Sequence, residues 1–187
     1  MAEPPPAFYV EQTRLPGVMV LEPRVHADER GFFLESYNER GMADVGITQR
    51  FVQDNHSYSK RNVVRGLHYQ YERPQGKLIR VVVGEILDIA VDLRRSSPTI
   101  GEWIAVALSG ENKKMIWLPM GLAHGFRVTS TDAHVLYKAT DFYDFAAERT
   151  ILWNDRDLKI DWQLDSDPVV SEKDRRGLTF QEAPKFE

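Results

Sequence analysis

The segment Arg65-Gly66-Leu67-His68-Tyr69-Gln70, followed by Lys77, sets an arginine, a histidine and a lysine around one short predicted strand and its return. A histidine takes up a proton near neutral pH. A lysine ammonium stabilises the negative charge that proton loss leaves on a carbonyl compound, and an arginine grips phosphate. Together they point to proton abstraction beside a carbonyl, on a substrate carrying phosphate. Pro119-Met120-Gly121-Leu122-Ala123-His124-Gly125-Phe126 adds a second histidine in a tight turn, and Ser171-Glu172-Lys173-Asp174 adds a possible carboxylate partner. Taken singly, each residue has a plainer explanation. A strand histidine often makes a core hydrogen bond, and a lysine such as Lys77 at a strand start is usually solvated. Tyr137 alone would be a packed aromatic and Asp174 a surface carboxylate. Only the combination carries weight.

The elements that must position these residues are mostly strands. Apolar alternation predicts strands over 18–21 and 31–37, and a short helix over 38–45 closed by Gly46. A dense β region follows from 51 to 143, with strands over 77–83, 85–93, 102–108, 114–118, 125–128 and 135–140. Its breaks are expected at Gly84, Ser96-Ser97-Pro98, Ser109 to Asn112 and Pro119 to Gly121. Many short strands at this spacing indicate an all-β antiparallel sandwich or barrel. The tail from Asn154 is polar, with Trp153 and Trp162 as anchors and room for short helices. One domain over 1–187 is expected, with a loose tail over about 1–14 that contains Pro4-Pro5-Pro6.

Side chains two apart share a strand face, so His68 and Gln70 should point the same way. Leu87, Ile89 and Val91 form an apolar face opposite Asp88, Ala90 and Asp92. If Asp88 is buried it needs a partner, and a histidine or lysine in the barrel mouth would serve. Gly66 could host a bulge that turns Arg65 and His68 toward one cavity.

Bulk properties exclude several classes. A formal charge of −4 lacks the basic footprint of nucleic-acid binding. There are no cysteines, hence no disulfides or thiolate metal sites, which fits a reducing compartment. No apolar run approaches the roughly 18 residues that span a membrane. The N-terminus has neither the basic nor the apolar region of a secretory signal. A soluble cytoplasmic protein, without nucleic-acid or membrane partners, is the expectation.

Two histidines first suggest a metal. Gly84, read as closing a hairpin, and Pro119-x-Gly121-x-x-His124 resemble the two motifs of the cupin superfamily of small β-barrels. Metal-binding cupins carry His-x-His and a glutamate in the first motif; here those positions hold Gln70 and Lys77. A protonated lysine has no lone pair and repels a cation, and two histidines alone make a poor site. No metal and no cofactor are expected.

The chain then resembles one family closely, the dTDP-4-dehydrorhamnose 3,5-epimerases, from about Leu15 to about Asp174. The resemblance rests on Asp28-Glu29-Arg30-Gly31-Phe32-Phe33-Leu34-Glu35, Phe51-Val52-Gln53-Asp54-Asn55-His56-Ser57 and Arg65 to Gln70. It continues through Gln75-Gly76-Lys77-Leu78, Asp88 to Arg94, Ser97-Pro98-Thr99, Gly121 to Phe126, Leu136-Tyr137-Lys138-Ala139-Thr140, Trp153-Asn154-Asp155 and Ser171 to Asp174. It implies a homodimeric, metal-free, cupin-like jelly-roll barrel with a few short helices. The implied substrate is a dTDP-4-keto-6-deoxyhexose inverted at C3 and C5, as in dTDP-L-rhamnose biosynthesis. By motif matching, His68 is the base, Asp174 its orienting carboxylate, Lys77 the residue near the C4 oxygen and Tyr137 the acid. Arg65 and Arg30 would contact the diphosphate or nucleotide. Glu35, Gln53 and Asn55 would hold the nucleotide, Phe33 would lie against the base, and Lys173 is a further binding position. His124 and Tyr143 would line the sugar pocket. Two stretches depart from the family pattern: Tyr71-Glu72-Arg73-Pro74, which shortens the loop before Lys77, and Asp144-Phe145.

The chemistry agrees with those roles. C3 and C5 both flank the C4 ketone, so one base and one oxyanion donor can serve both, and inversion needs a proton donor on the opposite face. The rivals are a single-centre epimerase or ketoisomerase of another deoxysugar pathway, a non-catalytic nucleotide-sugar-binding cupin, and a metal-dependent cupin dioxygenase. Lys77 with Tyr137 and a carboxylate argues against the second, Gln70 and Lys77 against the third.

Overall fold

Runs of alternating apolar residues set the strands, and the strands pair almost throughout in antiparallel fashion. The computed structural model describes residues 5–187. In chain order it has β1 (Phe8–Gln12), β2 (Met19–Pro23), β3 (Val25–Asp28), β4 (Gly31–Leu34), α1 (Glu39–Asp44), β5 (Gln53–Lys60) and β6 (Val63–Gln70). These are followed by β7 (Lys77–Asp92), β8 (Trp103–Ser109), β9 (Met115–Leu118), β10 (Leu122–Ala139), β11 (Glu148–Thr150), β12 (Val169–Val170) and α2 (Glu172–Arg175). The main sheet runs β1-β2-β9-β7-β10-β6-β11, with β5 also on β10, β8 also on β7, and the short β12 parallel to β6. The hairpin β3-β4 forms a separate two-stranded sheet. The architecture is the expected all-β, cupin-like antiparallel jelly roll.

Two expected breaks are absent. Gly84 closes no hairpin; it lies inside the 16-residue β7, and the segments expected over 125–128 and 135–140 are parts of the 18-residue β10. Gly84 has φ +75°, and a Cβ there would come 1.9 Å from the Asp132 carbonyl oxygen. The glycine therefore admits a close approach of β10 and kinks the strand without ending it. Register shifts between Val128 and Ala133 and between His134 and Val135 mark the same bend. A second correction concerns the tail. Residues 8–12, expected to be loose, form β1, because Phe8 is buried against Met42, Ile47 and Trp117. Met1–Pro4, including the first residue of the proline run, lie outside the described residues.

Helix α1 appears where predicted, capped by the Asn38 side chain accepting from the Arg40 and Gly41 amides. Gly41 sits inside it because a Cβ there would press on the Phe8 ring at 3.1 Å. The two faces of β7 separate as expected. Ile86 and Ala90 pack into the barrel lumen with Phe126, Val128 and Leu108, while Leu87, Ile89 and Val91 pack outward on Leu67, Tyr69 and Trp162. Burying an apolar side chain of this size stabilises by roughly 1.5–3 kcal/mol, so these two layers fix the register that places the site.

Candidate active site

Strands β6 and β10 bring the two histidines together, with His68 directly opposite His124 in the ladder. The next pairing joins Arg65 to Phe126, so β6 carries one extra residue there. This is the bulge that Gly66 suggested, and it puts Arg65 on the face of His68. Gly66 has φ +123°, and a Cβ there would lie 2.5 Å from the Cα of Gly125. Arg65 donates to the Ser59 hydroxyl at 2.9 Å and to the Tyr58 carbonyl at 3.2 Å.

Helix α2 delivers Asp174. Ser171 caps it by accepting from the Asp174 amide at 3.1 Å, which fixes the carboxylate beneath β6. His68 Nε2 donates to Asp174 Oδ1 at 2.6 Å, and the Gly66 amide donates to Oδ2 at 3.3 Å. Burial alone would raise the Asp174 carboxyl, but the hydrogen bond and charge of His68, with the bonds from Gly66 and Ser171, hold it below the usual carboxylate range. Burial pushes the His68 imidazole below its ordinary value, against the opposing pull of Asp174. With Nε2–H given to Asp174, Nδ1 keeps its lone pair.

Lys77 opens β7 with its Nζ 6.0 Å from the centre of the Tyr137 ring. Burial pushes its ammonium down to about 8, against the charges of Glu148 and Asp88. Tyr137 is pushed up, first by burial and then by the charge of Glu148, with Arg65 opposing. Its phenol stays protonated at neutral pH.

Glu148 escaped the sequence reading. It lies on β11 opposite Gln70, its side chain is only 17% exposed, and it accepts from Lys173 Nζ at 2.8 Å and from the Tyr143 hydroxyl at 3.1 Å. Burial would raise it, but Lys173 and Tyr143 hold it below the usual range, with His68 adding a smaller charge effect. No local motif marks Glu148. Only the pairing of β11 with β6 reveals it. Asp88, flagged by its place on β7, is fully buried and accepts from His124 Nε2 at 2.8 Å.

Gln70 points away from any metal role: its amide donates to the Arg73 and Phe142 carbonyls and accepts from the Asp144 amide. With Lys77 at the other ligand position, the residues present do not fit the cupin metal. Among the described residues there is no group of three or more His, Cys, Asp or Glu able to hold a metal ion. Gln53 donates to Asn55 and accepts from the Tyr143 amide, while Asn55 Nδ2 is buried without a partner.

Three of the expected residues belong to the separate β3-β4 hairpin and the segment that follows it. Arg30 pairs with Asp28 at 2.5 Å within the β3-β4 hairpin, Phe33 is 69% exposed there, and Glu35 accepts from Asn38. The family resemblance implies that Arg30 contacts the diphosphate or nucleotide, that Glu35 holds the nucleotide and that Phe33 lies against the base.

The family model for dTDP-4-dehydrorhamnose 3,5-epimerase matches residues 12–182. The dTDP-4-dehydrorhamnose 3,5-epimerase of Pseudomonas aeruginosa is 54% identical over 180 residues, covering 95% of this chain and 99% of that protein. Among solved structures, the dTDP-6-deoxy-D-glucose-3,5-epimerase of Legionella pneumophila, in complex with dTDP-4-keto-L-rhamnose, superposes with a TM-score of 0.92 at 43% identity, covering 96% and 99% of the two chains. A 3'-monoepimerase from Streptomyces bikiniensis, in complex with dTDP-quinovose, gives 0.85 at 30% identity, covering 90% and 86%. With a matching fold, near-complete coverage and identity of this order, the chain belongs to the dTDP-4-dehydrorhamnose 3,5-epimerase family.

Proposed function

We propose that this isomerase inverts C3 and C5 of dTDP-4-dehydro-6-deoxy-D-glucose to give dTDP-4-dehydro-L-rhamnose, in dTDP-L-rhamnose biosynthesis. The observation that carries this reading is the grouping of the His68–Asp174 dyad, the half-buried Lys77 and a protonated phenol at Tyr137. His68 Nδ1 removes the proton from C3. The C–H electron pair becomes the C3–C4 double bond, and the carbonyl pair moves to the C4 oxygen, where Lys77 offsets its charge. Tyr137 returns a proton to the opposite face and the ketone re-forms. After both residues regain their starting protonation by exchange with water, the same cycle serves C5. Asp174 fixes the tautomer of His68 and stabilises the imidazolium formed in the step.

Arg65, with Gln53, Asn55 and Lys173, supports the nucleotide diphosphate, and His124 and Tyr143 line the sugar pocket. Arg30, Phe33 and Glu35 join the nucleotide site across a dimer, the β3-β4 hairpin of one protomer reaching the other. The exposed, separately paired hairpin supports that arrangement. Among the described residues no helix is long and apolar enough to cross a membrane. The cytoplasm, where nucleotide-activated sugars are assembled, is the proposed compartment.

Proton NMR of the keto sugar in deuterium oxide tests the reading. Deuterium should enter both C3 and C5 in the inverted product. Entry at one carbon alone would make the protein a single-centre epimerase, and entry at neither would reduce it to a binding module.

A further inference from the structure

Asp88 is an unusual residue for its surroundings. It faces the lumen from the middle of β7, is fully buried, and lies among Ile86, Ala90 and Phe126. One oxygen accepts from His124 Nε2 at 2.8 Å, and the other, Oδ1, is buried with no partner. An unpaired buried acceptor is unfavourable, and an apolar side chain would fill this space at less expense. His124 in turn lies directly across the ladder from His68. Each imidazole gives Nε2 to a carboxylate, and each leaves Nδ1 without a partner among the described residues. The charge of Asp88 also reaches Lys77, as does that of Glu148 on β11. Two dyads of the same orientation therefore flank one ammonium.

Resting on the epimerase reading above, we propose that Asp88 is a positioning residue that holds His124 as the Nε2–H tautomer, so that His124 Nδ1 accepts a hydrogen bond from the hydroxyl-bearing C3 side of the sugar. The two sides of the C4 ketone differ in this respect. The C3 side carries hydroxyl donors, whereas the C5 side carries the ring oxygen and a methyl group, and only the former satisfies an acceptor. The dyad thus favours presentation of C3 to His68 and leaves C5 unaided.

Asp88→Asn tests this, because the amide can donate to His124 Nε2 and drive the proton to Nδ1, turning the acceptor into a donor. Ring-nitrogen NMR should show His124 as Nε2–H in the wild type and Nδ1–H in Asp88→Asn. Deuterium exchange should then fall at C3 relative to C5 by on the order of tenfold, the effect of one lost hydrogen bond. An Nδ1–H tautomer in the wild type overturns the proposal whether or not the variant folds. Exchange at C3 and C5 falling in equal proportion, with the wild type exchanging both, overturns it while leaving the epimerase reading intact. No exchange at either carbon in the wild type sinks that reading and this proposal with it.

Discussion

His68 and Lys77 need opposite protonation states in the same pH window, and burial favours the neutral base at His68 while working against the ammonium at Lys77. The imidazole is pushed below its ordinary value of about 6.5, so it remains a base into mildly acid solution. Activity should therefore fall on the acid side only as pH drops through a point below about 6.5. The ammonium is pushed down to about 8, so activity should fall again as pH rises through that region. A pH profile of kcat/KM measures both limbs; an alkaline limb near 10 would mean that burial does not lower the Lys77 ammonium to about 8. The division of labour between Tyr137 and Lys77 is separable in deuterium oxide. Tyr137→Phe should still exchange substrate protons, because His68 can return a deuteron to the face it attacked, and should release mostly uninverted sugar. Lys77→Ala should suppress exchange and inversion together, by on the order of 100- to 1000-fold. Equal loss of exchange in both variants would remove Tyr137 from the role of far-side acid. Of these residues, His68, Lys77 and the need for a partner at Asp88 were legible from residue type and strand alternation. Asp174 was legible from residue type as one possible carboxylate partner, its assignment to His68 only through the family resemblance, since it arrives from a helix far along the chain, and Glu148 not at all.

At the scale of elements, the glycines decide where strands may touch. Gly66 and Gly125 face each other so closely that neither tolerates a Cβ; one on Gly125 would meet the Arg65 carbonyl oxygen at 2.7 Å. Gly66→Ala should lower stability by about 2 kcal/mol or more, through the positive φ and the wedge between β6 and β10. The Gly66 amide would also shift from Asp174, so activity should fall further than the loss of folded protein explains. Calorimetry with turnover per folded molecule checks this, and a variant of unchanged midpoint would show that β6 relaxes freely. The bulge was readable because a glycine stood between two residues that chemistry wanted on one face. The continuity of β7 and β10 was not. Gly84 and the polar stretch from Thr129 to Asp132 carry turn chemistry, and only the tertiary pairing shows that the chain bends there without reversing.

For the whole molecule, the β3-β4 hairpin sets the expectation. All of Val25–Asp28 is exposed, as are Phe32 and Phe33, an arrangement that leaves large apolar side chains without cover in a single copy. Light scattering at micromolar concentration should give a mass near twice the 21.6 kDa protomer, and a value near 21.6 kDa would contradict the dimer. The kink at Gly84 has a larger consequence, which is one of counting. Lys77 and Asp88 both lie on β7, and Tyr137 and His124 both lie on β10, each pair separated by an odd number of positions. In an unbroken strand an odd separation sends two side chains to opposite faces. The lumen-facing set on β7 is odd-numbered at Ile79 and Val81 and even-numbered at Ile86 and Ala90, and on β10 it changes from even at Phe126 and Val128 to odd at Ala133 and Val135. The bend resets the parity on both strands at once. Straightening the bend with every residue retained would restore simple alternation and turn half the pocket inside out, although every residue that does chemistry would still be present.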